Sequence, residues 1–300
     1  DESALEAVRL PHTCKVLPYN YFDERVFQFV SCYRKTFRLP KDAFTGKKHI
    51  FITFEGAASY AKVYLNGEFI GEHKGGYTPF SLEITDKVNK SNNFLTVMLD
   101  STERPEIPPF GKVVDYLVYG GIYREVHIDI YDEKYIEDVF VKTPEPLYSV
   151  KTIEADVTFS EKVTGKCTFE LYDGERLLGT KTADADGRAI RIRWKVKNVE
   201  LWDIDNPKLY TLKVEVIRGG EVIDSETTRI GFRTFSIDAE KGFFLNGRSV
   251  KIKGVCSHQD FGLTGKAVPD NIYRYRIAML KEMGANGYRT SHYPHDPATM

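Results

Sequence analysis

Near its carboxyl end the chain reads Asn286-Gly287-Tyr288-Arg289-Thr290-Ser291-His292-Tyr293-Pro294, which sets an arginine and a histidine three residues apart on what reads as the end of a short buried strand. A permanent guanidinium donor beside a ring that both donates and accepts makes a site for a polar ligand. A second set of polar residues, Cys256, His258 and Asp260, follows the strand-like run Ser249–Val255. Between them, apolar or aromatic residues at 272, 273, 275, 277, 279, 280 and 283 predict a helix over Asn271–Met283, and Gly284 fits its stop. Strand, helix and strand form a βαβ unit, the repeat of parallel sheets and (β/α)8 barrels, and such barrels build their sites at the carboxyl ends of their strands.

Length and composition narrow the ligand class. Three hundred residues exceed one average domain, yet a barrel alone needs about 250 and only the final stretch has barrel character. Basic and acidic residues nearly cancel, 42 against 43, and no basic run predicts a nucleic-acid or anionic membrane partner. Neutral small molecules fit better. No apolar run approaches the length of a membrane span, and no signal pattern opens the chain, which starts at Asp1. Cys14, Cys32, Cys167 and Cys256 are scattered without metal-ligand spacing, so no metal site is expected. They read as reduced thiols of a cytoplasmic protein, with secreted and periplasmic locations left open.

The fold class expected is mainly β, in three regions. Residues 1–132 are short alternating runs such as Phe51-Ile52-Thr53-Phe54, with Leu65-Asn66-Gly67-Glu68-Phe69 as a tight hairpin. Residues 133–235 carry further strands, including Ala155–Phe159 and Leu209–Val216, with a hairpin at Asp173-Gly174; this pattern predicts an immunoglobulin-like sandwich. Residues 236–300 open on a second Asn-Gly hairpin, Phe243-Phe244-Leu245-Asn246-Gly247-Arg248, and pass into the βαβ unit. Tyr77 and Phe80 are expected in the core, and Tyr293 and Pro294 in a turn. Trp202 reads either as core or as a surface on which a sugar stacks.

Several runs together resemble glycoside hydrolase family 2, the group holding β-galactosidases, β-glucuronidases and β-mannosidases. They are the 286–294 motif, Val63-x-Leu65-Asn66-Gly67 followed by His73-x-Gly75-Gly76-Tyr77-x-Pro79-Phe80, Asp115–Arg124, Leu201-Trp202 to Leu209-Tyr210, Gly231-Phe232-Arg233 and Gly254–His258. The resemblance implies a jelly-roll sugar-binding-type domain, an immunoglobulin-like sandwich and the first βαβ unit of a barrel that would be incomplete here. It implies a retaining exo-β-glycosidase of galactosides or glucuronides, with β-mannosidase a weaker alternative and no cofactor.

Such enzymes use two carboxylic groups about 5–5.5 Å apart. In the family these are glutamates of the fourth and seventh barrel strands, which places both beyond Met300 and predicts that this chain alone is inactive. Glu240 and Glu282 match neither. By the resemblance, His292 and His258 meet the sugar, Asp115 reaches from the jelly roll to accept bonds from adjacent hydroxyls, Arg289 holds the nucleophile's carboxylate ionised, and Asp260 supports the loop. Cys256 stands where the family has Asn. The partner implied is a small carbohydrate, in a dimer or tetramer. The alternative from another class is a non-catalytic carbohydrate-binding protein of two sandwiches.

Overall fold

Residues Lys48–Phe54 bury Ile50, Ile52 and Phe54, and Tyr60–Leu65 bury Ala61, Val63 and Leu65. This period of two leaves one face of each strand for the core. In the computed structural model, which describes residues 5–16, 23–108 and 116–300, the strands assemble into two units, Asp1–Ile130 with Lys253–Met300, and Tyr131–Ile252.

In the first unit, one antiparallel sheet has the order Val30–Phe37, Asn93–Asp100, Tyr60–Leu65, Glu68–Lys74. A second has the order Phe80–Glu83, Lys48–Phe54, Val126–Asp132. Their inner faces enclose a single core around Phe54, Val63, Val97 and Leu99, the jelly-roll arrangement. The Asn-Gly hairpin forms with Asn66 at φ +54° and Gly67 at +86°, the left-handed pair that a type I′ turn needs. The Asn66 side chain also bonds the Lys87 carbonyl at 2.9 Å and receives the Phe94 amide at 2.9 Å, so the turn is fastened to its neighbours.

The second unit is an immunoglobulin-like sandwich built on the long hairpin Lys151–Asp173 and Arg176–Val196. A break in register between Thr158 and Val163 divides that hairpin. Its first half pairs with Ile136–Lys142 and its second with Tyr210–Arg218, which in turn pairs with Glu221–Ile230. Both halves bury side chains in one core, Ile153 to Phe159 and Val163 to Leu171. The hairpin turn falls on Gly174-Glu175, between Asp173 and Arg176. Trp202 is half-buried in this unit against Gly231, with the Arg233 guanidinium 4.6 Å from its ring. The second Asn-Gly turn also belongs here, and the Asn246 amide reaches the Trp202 carbonyl at 2.9 Å. Glu240 lies in the turn of the preceding hairpin.

The βαβ unit returns to the first unit. Strand Gly254–Ser257 runs parallel to Gly287–Thr290, with the helix Asp270–Glu282 between them. The first of these strands starts later than the sequence pattern predicts. Arg248 and Ser249 instead finish the hairpin by pairing with Leu245 and Phe244, and the Val250 amide bonds the Phe243 carbonyl at 2.9 Å. Their backbone is therefore committed before the barrel strand begins. The helix ends where expected, with Gly284 and Ala285 amides returning to the Lys281 and Leu280 carbonyls, both at 2.9 Å. It buries Tyr273 and leaves Tyr275 60% exposed, with Met279 and Met283 exposed as well. This is the unpartnered apolar surface expected of an opening barrel segment. Among the described residues no helix is long and apolar enough to cross a membrane.

The loop after the first parallel strand is fixed at Gly265, whose φ of +58° disfavours a side chain. A Cβ there would approach Thr13 Cγ2 and Tyr119 Cδ1 to 2.9 Å. Gly265→Ala is therefore expected to destabilise the first unit by about 2 kcal/mol, from backbone strain and overpacking together. A urea titration in which its midpoint matches wild type would refute this account of the loop.

Candidate functional site

The two parallel strands end side by side, with Cys256 level with Arg289 and Ser257 with Thr290. Asn286 sets this register, because its side chain receives the Lys253 amide at 2.7 Å while its own amide bonds the Lys253 carbonyl at 2.9 Å. The chain leaving each strand starts from one edge. His258 and His292 consequently meet, with ring centroids 5.4 Å apart and planes at 85°. Tyr116, contributed by the jelly roll, lies 5.0 Å from His258 and 6.3 Å from His292. His292 is exposed and His258 half-buried. Asp115 lies outside the described residues.

Tyr293 is the hub beneath this pair. Its hydroxyl receives the Gln259 amide at 3.2 Å, donates to Asp260 Oδ1 at 3.2 Å and stands 3.5 Å from His258 Nδ1. Its ring stacks on Tyr77 with centroids 4.1 Å apart. Tyr77 is buried, as the sequence predicts, but it joins Tyr123, Ala267 and Tyr293 in a cluster separate from the sandwich core. Tyr293 is likewise more than a turn residue. Burial and the Asp260 carboxylate raise the Tyr293 hydroxyl well above the usual phenol range, so it remains a donor.

Three basic residues without an assigned role in the sequence reading complete the lower layer. Arg124 is 3% exposed. It donates to the Gln259 side chain at 2.9 Å, the Pro294 carbonyl at 2.6 Å, the Glu55 carbonyl at 3.3 Å and the Tyr77 carbonyl at 3.4 Å. Lys266 is fully buried and donates to the Tyr77 hydroxyl at 2.9 Å. Its backbone is held too, since Thr13 Oγ1 receives the Lys266 and Ala267 amides at 3.2 and 2.9 Å. Arg276, from the helix, donates to the His258 carbonyl at 3.0 Å and the Gln259 carbonyl at 3.2 Å, and also to the Asp260 carbonyl. Arg124 was visible in sequence only as the end of Gly121-Ile122-Tyr123-Arg124. Lys266 could have been noticed as a lysine running into the apolar pair Ala267-Val268.

Arg289 does not meet His292. It is exposed and donates through Nη1 to Cys256 Sγ at 3.8 Å. Position 256 thus still accepts a hydrogen bond although the side chain is a thiol. Arg289 first, and Ser291 second, draw the Cys256 thiol below its ordinary range. The arrangement presents a donor pair, an aromatic wall and an ionisable acceptor along one strand-end edge, suited to the hydroxyls and apolar faces of a polar ring.

Comparison with known proteins identifies the setting. Residues 14–131 match the sugar binding domain of the glycosyl hydrolases family 2, residues 134–233 match the glycosyl hydrolases family 2 domain, and residues 236–300 match the family's TIM barrel domain. The chain belongs to glycoside hydrolase family 2. It is 40% identical over 302 residues to a β-galactosidase of Thermoanaerobacter pseudethanolicus, covering 98% of this chain and 40% of that one. It is 33% identical over 265 residues to a β-glucuronidase of Bacteroides fragilis, covering 82% and 38%. The structure of Bacteroides uniformis β-glucuronidase 2 covalently bound to cyclophellitol-6-carboxylate aziridine superposes with a TM-score of 0.85 at 29% identity, covering 100% of this chain and 37% of that one. The chain thus spans about 40% of the length of the curated relatives it matches.

Two outcomes test the site's construction. Arg124→Met strands several buried acceptors and should destabilise the first unit by about 3 kcal/mol; amide hydrogen exchange at residues 259, 293 and 295 should accelerate, and unchanged protection there would contradict the role. In the 300-residue chain, Cys256 should react with iodoacetamide at neutral pH faster than exposed Cys32, because the lowered thiol holds more thiolate. Arg289→Gln should slow that reaction several-fold, and an unaltered rate would show that the guanidinium does not act on the thiol.

Proposed function

We propose that this chain is the amino-terminal part of a retaining exo-β-glycosidase that releases terminal β-D-galactose, with β-D-glucuronides as the alternative substrate. The observation that carries the reading is the His258–His292 pair, with centroids 5.4 Å apart at the ends of adjacent parallel strands and Tyr116 beside it. In this reading residues 1–132 are the jelly roll, 133–235 the immunoglobulin-like sandwich and 236–300 the start of the catalytic barrel. The higher identity to the β-galactosidase, 40% against 33%, supports the galactoside. The covalent adduct of the Bacteroides uniformis β-glucuronidase 2 supports a glycosyl-enzyme intermediate. The four unpaired thiols fit a cytoplasmic enzyme, and a dimer or tetramer is part of the same proposal.

Mechanistically, the sugar sits against Tyr116 with His292 and His258 donating to its hydroxyls, while Asp115 accepts from a neighbouring pair. Arg289 faces the nucleophile's carboxylate and keeps it ionised, and Asp260 steadies Tyr293 and the loop. Two glutamates of later barrel strands, about 5–5.5 Å apart, act as acid/base and nucleophile. The 300-residue chain by itself is inert.

The test is hydrolysis of p-nitrophenyl β-galactoside and β-glucuronide by the longest natural chain that contains this sequence, with the 300-residue chain alongside. The long chain should cleave the galactoside and the short chain neither. In the long chain His292→Phe should lower kcat/KM about a hundredfold, the scale of losing a donor used in the transition state. Cleavage of neither substrate, together with sugar binding by the short chain, would favour the carbohydrate-binding alternative.

A further inference from the structure

We infer that Lys266 is a positioning residue for the sugar-facing histidines, acting through Tyr77 and Tyr293 as a charged clamp beneath the site. The inference rests on the glycosidase reading and adds to it a residue that contacts no substrate. Its ammonium lies 4.3 Å from the Tyr77 ring centroid and 4.4 Å from that of Tyr293, with Tyr116 and Tyr123 at 5.8 and 5.9 Å. Aromatic faces attract a cation, so one ammonium draws rings from the jelly roll and from the barrel strand's end onto a common point. Tyr293 then passes that placement on, because its hydroxyl touches both Asp260 and His258.

Energetics separate this role from simple structural support. A fully buried ammonium with one hydrogen bond is a poor stabiliser, and an apolar side chain of similar volume is commonly as good or better. Burial draws Lys266 down to about 7 from its ordinary 10.5, with Asp260 opposing and Arg124 adding to the fall. Between about 7 and 10.5 the unfolded chain therefore holds a proton that the folded chain does not. The stability attributable to this group rises with pH across that window and is lost as pH falls through about 7. The titratable and charged groups facing Lys266 are Tyr77, Tyr116, Tyr123, Tyr293, Asp260, Arg124 and His295, the last held below its ordinary range first by burial. Burial raises the Tyr77, Tyr123 and Tyr293 hydroxyls, so these do not titrate near neutrality.

Lys266→Met in the longest natural chain tests the clamp. At about pH 6, where the ammonium is present, the variant should keep or raise its melting temperature while KM for the galactoside rises about tenfold and kcat stays within about threefold. By about pH 8.5, where the wild-type amine is neutral, the KM ratio should shrink towards one. A KM unchanged at both pH values, or raised equally at both, overturns the inference, and so does a variant that fails to fold, because the lysine would then be structural. If the wild-type long chain cleaves no β-glycoside, the glycosidase reading fails separately. The clamp is then judged by the His258 imidazole resonances at about pH 6, which should move in Lys266→Met and whose constancy would refute it.

Discussion

Two basic side chains are buried in this structure, and the candidate site depends on how the chain tolerates them. Arg124 and Lys266 are almost wholly removed from water, and Arg124 opposes the charge of Lys266. The chain answers each by a different means. Arg124 is surrounded by carbonyl and amide oxygens, with the Asp296 carboxylate 3.9 Å away, and these spread its charge over several directed interactions. Lys266 has one oxygen and several aromatic faces, whose attraction is broad and tolerant of direction. A planar fork suits the first environment and a compact ammonium the second, so the two residues are not interchangeable.

The reason for burying cations here lies in the backbone. The segments after the two parallel strands are largely irregular, and several of their carbonyls lie outside any strand ladder. A buried carbonyl must nevertheless find a donor. Arg124 supplies one to Pro294, Arg276 supplies His258, Gln259 and Asp260, and Thr13 receives two amides of the Gly265–Ala267 stretch. Long side chains thus do for these loops what ladders do for strands. This lets His258 and His292 leave regular structure, turn towards each other and remain placed.

Much of this was legible in the sequence, and the rest was hidden for identifiable reasons. The Asn-Gly turns, the helix with its Gly284 stop and the parallel strand before His292 are local, set by backbone preference and periodicity within a few residues. The strand expected at Ser249–Val255 moved because its apolar alternation fits either neighbour, and the hairpin claims its first residues. Tyr77 read correctly as buried, but burial does not say in which core, and its partner Tyr293 is more than two hundred residues away. Lys266 stood out little in the local sequence because the groups its ammonium touches are rings brought from distant segments. The meeting of His258 and His292 was implied by a family motif, whereas Tyr116 beside them required the jelly roll to be folded onto the strand ends.

On the proposed reading, the same electrostatics bear on the reaction. Glycoside cleavage passes through a transition state with positive charge on the sugar ring, and an unshielded cation under the site would oppose it at the distances of this cluster. Aromatic faces carry negative charge density towards Lys266, and carbonyl oxygens do so towards Arg124, so the field each sends upward is reduced at its source. Asp260, bonded to the Tyr293 hydroxyl that also reaches His258, favours the protonated lysine electrostatically and offsets part of its charge. The layer can therefore be held together by basic side chains while presenting the two histidine rings and Tyr116 to the ligand, which reconciles a basic foundation with chemistry that develops positive charge above it.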